Sequence, residues 1–331
     1  MATSSPPKKS ARVGAPGPLT GIRVLDLSAY IAGPYGCTLL ADQGEEVTKI
    51  EPPEGDNLRQ YPSTLASESR AFIGVNRSKY GVVLDLKQPA GLALLLRLVR
   101  DADVLVHNFR SGVPKRLGIA HDQLSAINPR LIYCSVTGYG ETGPMKNKAG
   151  YDQVLQTMAG MCALQGKRGG APEIIYGSVV DYYAAALVAA GVAAALYERE
   201  RSGLGQAVGV SLLRSALTMQ SARLIWAEGE PLDVGRDMRS GGVTGIHLAR
   251  EGHLYVSANT PRFWKALCQK TRLHDLLADE RLDSVRKRAL HSGEIVPRLH
   301  PTLGQDSNAV AAAAGVAADE VLALRAAGVL R

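Results

Sequence analysis

From Gly21 to about Gly150 the chain alternates short apolar runs with longer stretches of helix-like periodicity. Ile22–Leu27, Glu46–Ile50, Val82–Leu86, Val104–Val106 and Leu131–Val136 predict strands. Between them a Gly/Pro turn at Ala32–Pro34 leads into a helix ending near Asp42. Pro89 opens an amphipathic helix to Arg100, and a further helix lies around His121–Ile127. Short strands divided by helices imply parallel βαβ units, so the pattern predicts a doubly wound α/β layer.

Beyond Gly150 the texture becomes helical, over Tyr151–Leu164 and then Val180–Glu200. A turn at Ser202–Gly205 precedes Gln206–Leu212, read as a strand running into a helix. Near Trp226 the composition shifts to a loop (Glu228–Gly245), a strand (His253–Ala258) and a charged helical segment (Arg262–Leu290). The expected organisation is a disordered tail over 1–17, a large domain over 18–225 and a smaller domain over 226–298. Ala/Leu/Val-rich helices over 299–331 are expected to return to the large domain.

Composition narrows the class. With 46% hydrophobic residues in 331, the chain can bury a full core, and 35 Gly against three Phe and two Trp point to close packing by small residues. No uncharged apolar run reaches the roughly 18 residues a bilayer span needs, and Ala184–Leu196 reads as a buried helix. The first residues lack the apolar segment of a secretory signal. Cys37, Cys134, Cys162 and Cys268 form no CxxC pair and no metal spacing, which suits reduced thiols in a cytoplasmic protein. The net charge of +7 comes without a basic run beyond Lys8–Lys9 or aromatic interleaving, so nucleic acid is not the expected partner. A small polyanion bearing phosphates explains the sign as well.

A strand-first α/β chain invites a dinucleotide site, but the first turn reads AYIAGPYG and carries no GxGxxG. Ordered motifs point elsewhere: PLTGIRVLDLS followed by AGP, VTKIEPPEGD, NRSKYGVVLDLKQPAG and ADVLVHNFRSGVPKRLG. NPRLIYCSVTGYGETGP, AGYDQVLQTMAG, GSVVDYYAA and RSGLGQAVGVSL follow. In these, from Pro18 to about Leu276, the chain resembles the family III CoA-transferases of the CaiB/BaiF type. The resemblance implies a Rossmann-like large domain, a small domain and an interlocked homodimer. It also implies coenzyme A or acyl-CoA as substrate, a carboxylic acid as second substrate, and neither metal nor redox cofactor.

The resemblance also places the nucleophile at Asp181, in GSVVDYYAA. A carboxylate at the start of a long helix meets free N–H groups and the positive end of the dipole, which predicts an ionised group. Attack on a thioester would give a mixed anhydride and then an aspartyl-CoA thioester, dividing one hard transfer into easier steps. An isolated Asp in this place would read as a plain helix cap. CoA contacts are implied at Ala32, Leu84, Leu86, Lys87, Asn108, Phe109, Arg116, Lys148 and Tyr151, with Arg77 and Lys79 as weaker candidates. Arg and Lys suit phosphate through charge and fork geometry.

The chain also departs from that pattern. Ile31 stands where several members carry Gln before AGP, which favours an apolar acyl group over oxalate-type or formyl-type substrates. Pro52 stands where some carry Arg. SGGVTG (Ser240–Gly245) is a candidate glycine loop with His247 beside it, and the C-terminal region is shorter than usual, without the G-(I/V)-P segment. Two alternatives remain open at the level of sequence. One is a 2-methylacyl-CoA racemase, disfavoured because Tyr151 replaces the His of the A-G-H-D segment and an unperturbed tyrosine is a poor base. The other is a non-catalytic CoA-binding paralogue.

Overall fold

The apolar runs of the first half all enter one sheet. In the computed structural model β1 (Arg23–Asp26), β2 (Glu46–Glu51), β3 (Tyr80–Val83), β4 (Val104–His107), β5 (Ile132–Thr137) and β6 (Ala207–Ser211) pair in the order β3-β2-β1-β4-β5-β6. Every pairing is parallel. This is the strand order of a Rossmann-type doubly wound sheet, whose direction of winding reverses between β1 and β4. The structure describes residues 16–66, 68–165, 171–225, 227–229, 243–248, 252–299 and 314–327.

Side chains alternate between two cores. Val24, Val47, Val104, Val106, Ile132 and Cys134 face one side, while Leu25, Ile50, Leu105 and Tyr133 face the other. The connecting helices are α1 (Ala32–Ala41), α2 (Arg70–Asn76), α3 (Pro89–Arg100), α4 (Val113–Leu117), α5 (His121–Ser125), α6 (Asp152–Met158), α7 (Val179–Ser202) and α8 (Leu212–Thr218). Cys37 and Leu40 of α1 join Val180, Ala184 and Val188 of α7 in the first core, and Leu95 and Val99 of α3 join Leu124 of α5 in the second. Both faces are covered, as a parallel sheet requires.

Three of the differences from expectation lie between β1 and α3. Ala32–Pro34 is not a turn but the first turn of α1, where proline is tolerated because its missing N–H would be unpaired anyway. The third strand is displaced to Tyr80–Val83. The Leu84 N–H still donates to the Glu51 carbonyl at 2.8 Å, but Asp85 then turns the chain by accepting from the Lys87 N–H at 2.9 Å. Helix α2 is only seven residues long, too brief for periodicity to predict it; Ser69 caps it, accepting from the Phe72 N–H.

Helix α7 is long and apolar enough to cross a membrane by length and composition. Here its Ala184, Ala185, Val188, Ala189 and Val192 are buried. Small residues let it approach α1 closely: a Cβ on Gly36 would lie 2.7 Å from Val188 Cγ1.

The chain divides into two compact units after Ile225. The second contains the antiparallel pair β7 (Gly245–Leu248) and β8 (His253–Val256). Its described helices are α9 (Pro261–Lys270), α10 (His274–Ala278), α11 (Val285–Leu290), α12 (Ser292–Leu299) and α13 (Ala318–Ala326). Its core gathers Val243, Trp264, Cys268, Leu276, Leu282 and Ile295, with the buried Arg288 guanidinium 4.8 Å from the Trp264 ring centre.

Candidate active site

A cavity of about 580 Å³ opens in the first unit, lined by residues that follow β1, β4 and β5 together with the starts of α6, α7 and α8. Residues after β1 and β4 share its wall. The cavity therefore sits at the switch point, where doubly wound sheets bind their ligands.

The floor is the turn between β1 and α1. Asn108, just past β4, grips it with both ends of its amide: Oδ1 accepts from the Ala29 N–H at 2.9 Å and Nδ2 donates to the Ala29 carbonyl at 2.7 Å. Tyr30 is left-handed, with φ 64°, a conformation costly for a bulky residue unless its surroundings impose it. They do so here. Its N–H donates to Asp56 Oδ1 at 3.2 Å and its hydroxyl accepts from Asn57 Nδ2 at 3.0 Å. The ring meets Tyr151 edge-on at 6.2 Å.

Buried charges support this turn from below. The fully buried Asp26 accepts from Lys79 Nζ at 2.9 Å and from the Ser28 N–H at 3.0 Å, and Lys49 Nζ lies 3.9 Å away. Lys49 donates to the Ser28 carbonyl and to Asp56 Oδ2, and Lys79 also donates to the Pro34 carbonyl at 2.7 Å. Burial alone would push the Asp26 carboxyl up. The ammonium groups of Lys49 and Lys79 and the hydrogen bonds from Ser28 and Lys79 outweigh it and hold the group at about 2.

The opposite wall carries the carboxylates. A Cβ on Gly138 would lie 2.8 Å from Gly150 Cα, so the loop through Lys146 and Lys148 passes tightly against the end of β5 before α6 begins. Asp152, the first residue of α6, reaches across to the N-terminus of α7. Its Oδ2 accepts from the N–H groups of Val180 at 2.7 Å and Asp181 at 3.0 Å. Its Oδ1 accepts from Gln156 Nε2 at 2.5 Å, and Gln156 Oε1 accepts from the Ile175 N–H at 2.9 Å.

Asp181 lies in the first turn of α7 and lines the cavity. The expectation that free helix N–H groups keep it ionised is corrected: Asp152 already occupies its own N–H and that of Val180. Burial, and then the Asp152 charge, push its carboxyl up to about 7. At neutral pH the group is divided between acid and carboxylate, a state suited to nucleophilic or proton-transfer work.

Of the residues singled out in the sequence, Ala32, Asn108, Phe109, Lys148, Tyr151 and Asp181 line this one cavity. Leu84, Leu86, Lys87 and Arg116 are not in its lining: Leu84 is core, Leu86 is packed against that core, and Lys87 and Arg116 are exposed. Lys79 is committed to Asp26, and Arg77 makes a bidentate pair with Asp42. His247 is buried, its Nε2 3.0 Å from the Val243 carbonyl. The SGGVTG segment falls within the described residues only from Val243 onward.

Arg110, which the resemblance places with Asn108 and Phe109, is in the wall as well, and the structure adds Tyr30, Asn57, Tyr61, Lys146 and Asp152. Arg110, Lys146 and Lys148 are the cations able to meet phosphate there. Asp152 follows directly after Tyr151 in AGYDQ, but nothing local signals a bond to backbone 28 residues away.

Comparison with known proteins agrees with the geometry. The profile described as CoA-transferase family III matches residues 19–327. The chain is 35% identical over 294 residues to acetyl-CoA:oxalate CoA-transferase of Acetobacter aceti, covering 87% of this chain and 76% of that protein. It is 32% identical over 289 residues to succinate–glutarate CoA-transferase of Agrobacterium fabrum, covering 84% and 72%. The crystal structure of a CaiB/BaiF family protein from Brucella suis superposes with a TM-score of 0.74 at 28% identity, covering 93% of this chain and 86% of that one.

Proposed function

Because the chain belongs to CoA-transferase family III and is a CoA-transferase, we propose that it moves CoA from an acyl-CoA to a free carboxylic acid through covalent intermediates on Asp181. The observation that carries this reading is a half-buried carboxylate, titrating near 7, in the wall of a cavity that also holds Arg110, Lys146 and Lys148.

In the proposed sequence an Asp181 oxygen attacks the thioester carbonyl. The C–S bond breaks, and CoA leaves as the thiolate, forming an aspartyl-acyl anhydride. The thiolate then attacks the aspartyl carbonyl, releasing the first acid as its carboxylate and leaving an aspartyl-CoA thioester. The incoming carboxylate attacks that thioester and displaces the thiolate. The thiolate finally takes the new acyl group and regenerates Asp181. Each carbonyl substitution exchanges one bond for another, and the net reaction needs no added proton or electron. The walls given by Ile31, Leu58 and Leu212 suit an apolar acyl group.

Intact-protein mass spectrometry after mixing with a panel of acyl-CoAs, with a hydroxylamine or borohydride quench, tests the reading. The expected result is a mass change on the peptide holding Asp181, with a rate that rises as pH passes through about 7. No adduct from any acyl-CoA that binds would overturn it, and α-proton exchange in heavy water would then identify racemase chemistry.

The proposal includes a cytoplasmic homodimer. Light scattering on the eluting protein should give twice the 35.1 kDa chain mass, and a monomeric mass would refute that part.

A further inference from the structure

Asp152 has no part in the covalent steps above, yet it is 2% exposed and shares the cavity wall with the nucleophile. Resting on the assignment of Asp181 as nucleophile, we infer that Asp152 is a positioning residue that also favours the covalent intermediate: its charge opposes the Asp181 carboxylate, and the opposition vanishes when Asp181 is acylated.

Geometry carries the argument. A helix start needs only an oxygen acceptor, and neutral Ser, Thr or Asn supply one as well as Asp does. Here the acceptor is a carboxylate held in one place by three N–H donors, those of Val180, Asp181 and Gln156. Gln156 is 0% exposed and is itself fixed by the backbone of Ile175. Asp152 therefore cannot turn away from Asp181. The other titratable groups lining the cavity are Tyr30, Tyr61, Arg110, Lys146, Lys148 and Tyr151. The Asp181 carboxylate makes no hydrogen bond or ion pair to any of them.

Burial of its carboxyl, and then the like charge of Asp152, raise the energy of the resting, ionised nucleophile. Forming an anhydride or thioester makes Asp181 neutral, so the repulsion is lost on acylation and returns on regeneration. Asp152 is buried and Asp181 half-buried, so solvent screens the repulsion less than it would at the surface. Asp152 also fixes the first turn of α7, so the same residue sets where the nucleophile lies and how strongly its charge is resisted.

The test separates these roles from plain capping. In protein carrying ¹³C-carboxyl aspartate, with Asp181→Asn used to assign the signal, the Asp181 midpoint should lie near 7. It should fall by about one unit in Asp152→Asn, because burial, the larger cause of the rise, remains. The acid limb of adduct formation should move by the same amount, and the covalent fraction at a fixed subsaturating acyl-CoA concentration should drop about tenfold per unit lost. Asp152→Glu should restore the high midpoint. Asp152→Ser, which still caps the helix, serves if Asn is not accommodated beside Gln156.

A lower melting temperature with the midpoint unmoved would show a structural cap only and overturn the inference. A shifted midpoint in a protein that forms no adduct with any acyl-CoA would sink the transfer reading instead. The two failures are thus distinguishable.

Discussion

Asp181→Ala should reduce CoA transfer by at least about 10³-fold, since removing a covalent nucleophile leaves only binding and positioning. A coupled assay with the donor identified by mass spectrometry reads the loss, and CoA binding by calorimetry should be nearly unchanged. Full activity in this variant would end the covalent mechanism.

Stability should move the other way. The folded-state carboxyl is raised from 3.8 to about 7, so the native protein holds a proton that the unfolded chain releases. The wild type therefore loses stability as pH climbs from about 4 to about 7, and the variant escapes that loss. At pH 8 Asp181→Ala should be more stable than wild type, by on the order of 1–3 kcal/mol, with the gap closing towards pH 4. A carboxyl placed against its own ionisation, as the proposed nucleophile is, leaves this signature.

Asp26→Asn should be the most damaging substitution away from the cavity. Lys49 and Lys79 have side chains only 3% and 2% exposed, and the change deprives both of their shared carboxylate. Breaking a buried pair from one side costs about 3–5 kcal/mol, read by denaturant unfolding at pH 7. Because the native carboxyl is depressed to about 2, its contribution is present above the unfolded value near 4. It fades as pH falls through 2, so wild type and variant should converge only in strong acid. Activity should fall as well, since Lys49 and Lys79 hold the Ser28 and Pro34 carbonyls on either side of Tyr30.

The sheet was legible because its strands are apolar runs and its helices carry local signals, such as the proline that opens α3. The site was legible in part. Asp181 and Asn108 stand in motifs, and both line the cavity. What the sequence hid depends on long reach. Asp152 acts on backbone far along the chain, Tyr30 owes its backbone angle to Asp56 and Asn57, and Lys79 is drawn inside by Asp26. A lysine in the sequence reads as a solvated charge or a phosphate contact. Only the fold shows that its partner is a carboxylate from another strand.

The all-parallel sheet also governs how the wall of the candidate site comes into being. No two neighbouring strands of β1 to β6 meet through a tight turn. β5 and β6 pair across the whole of α6 and α7, and β1 joins β4 only after β2, α2, β3 and α3 have passed. Each pairing must close a long loop before contacts repay it, which slows assembly. Tyr30, Asn108, Asp152 and Asp181 become neighbours only at the end of that process. During refolding, acyl-CoA reactivity should therefore return in the last phase, with β6, well after helical signal has recovered. A chain stopped before Ala207 would hold every proposed reactive group and still lack Leu212, which lines the cavity, and the strand that carries it there.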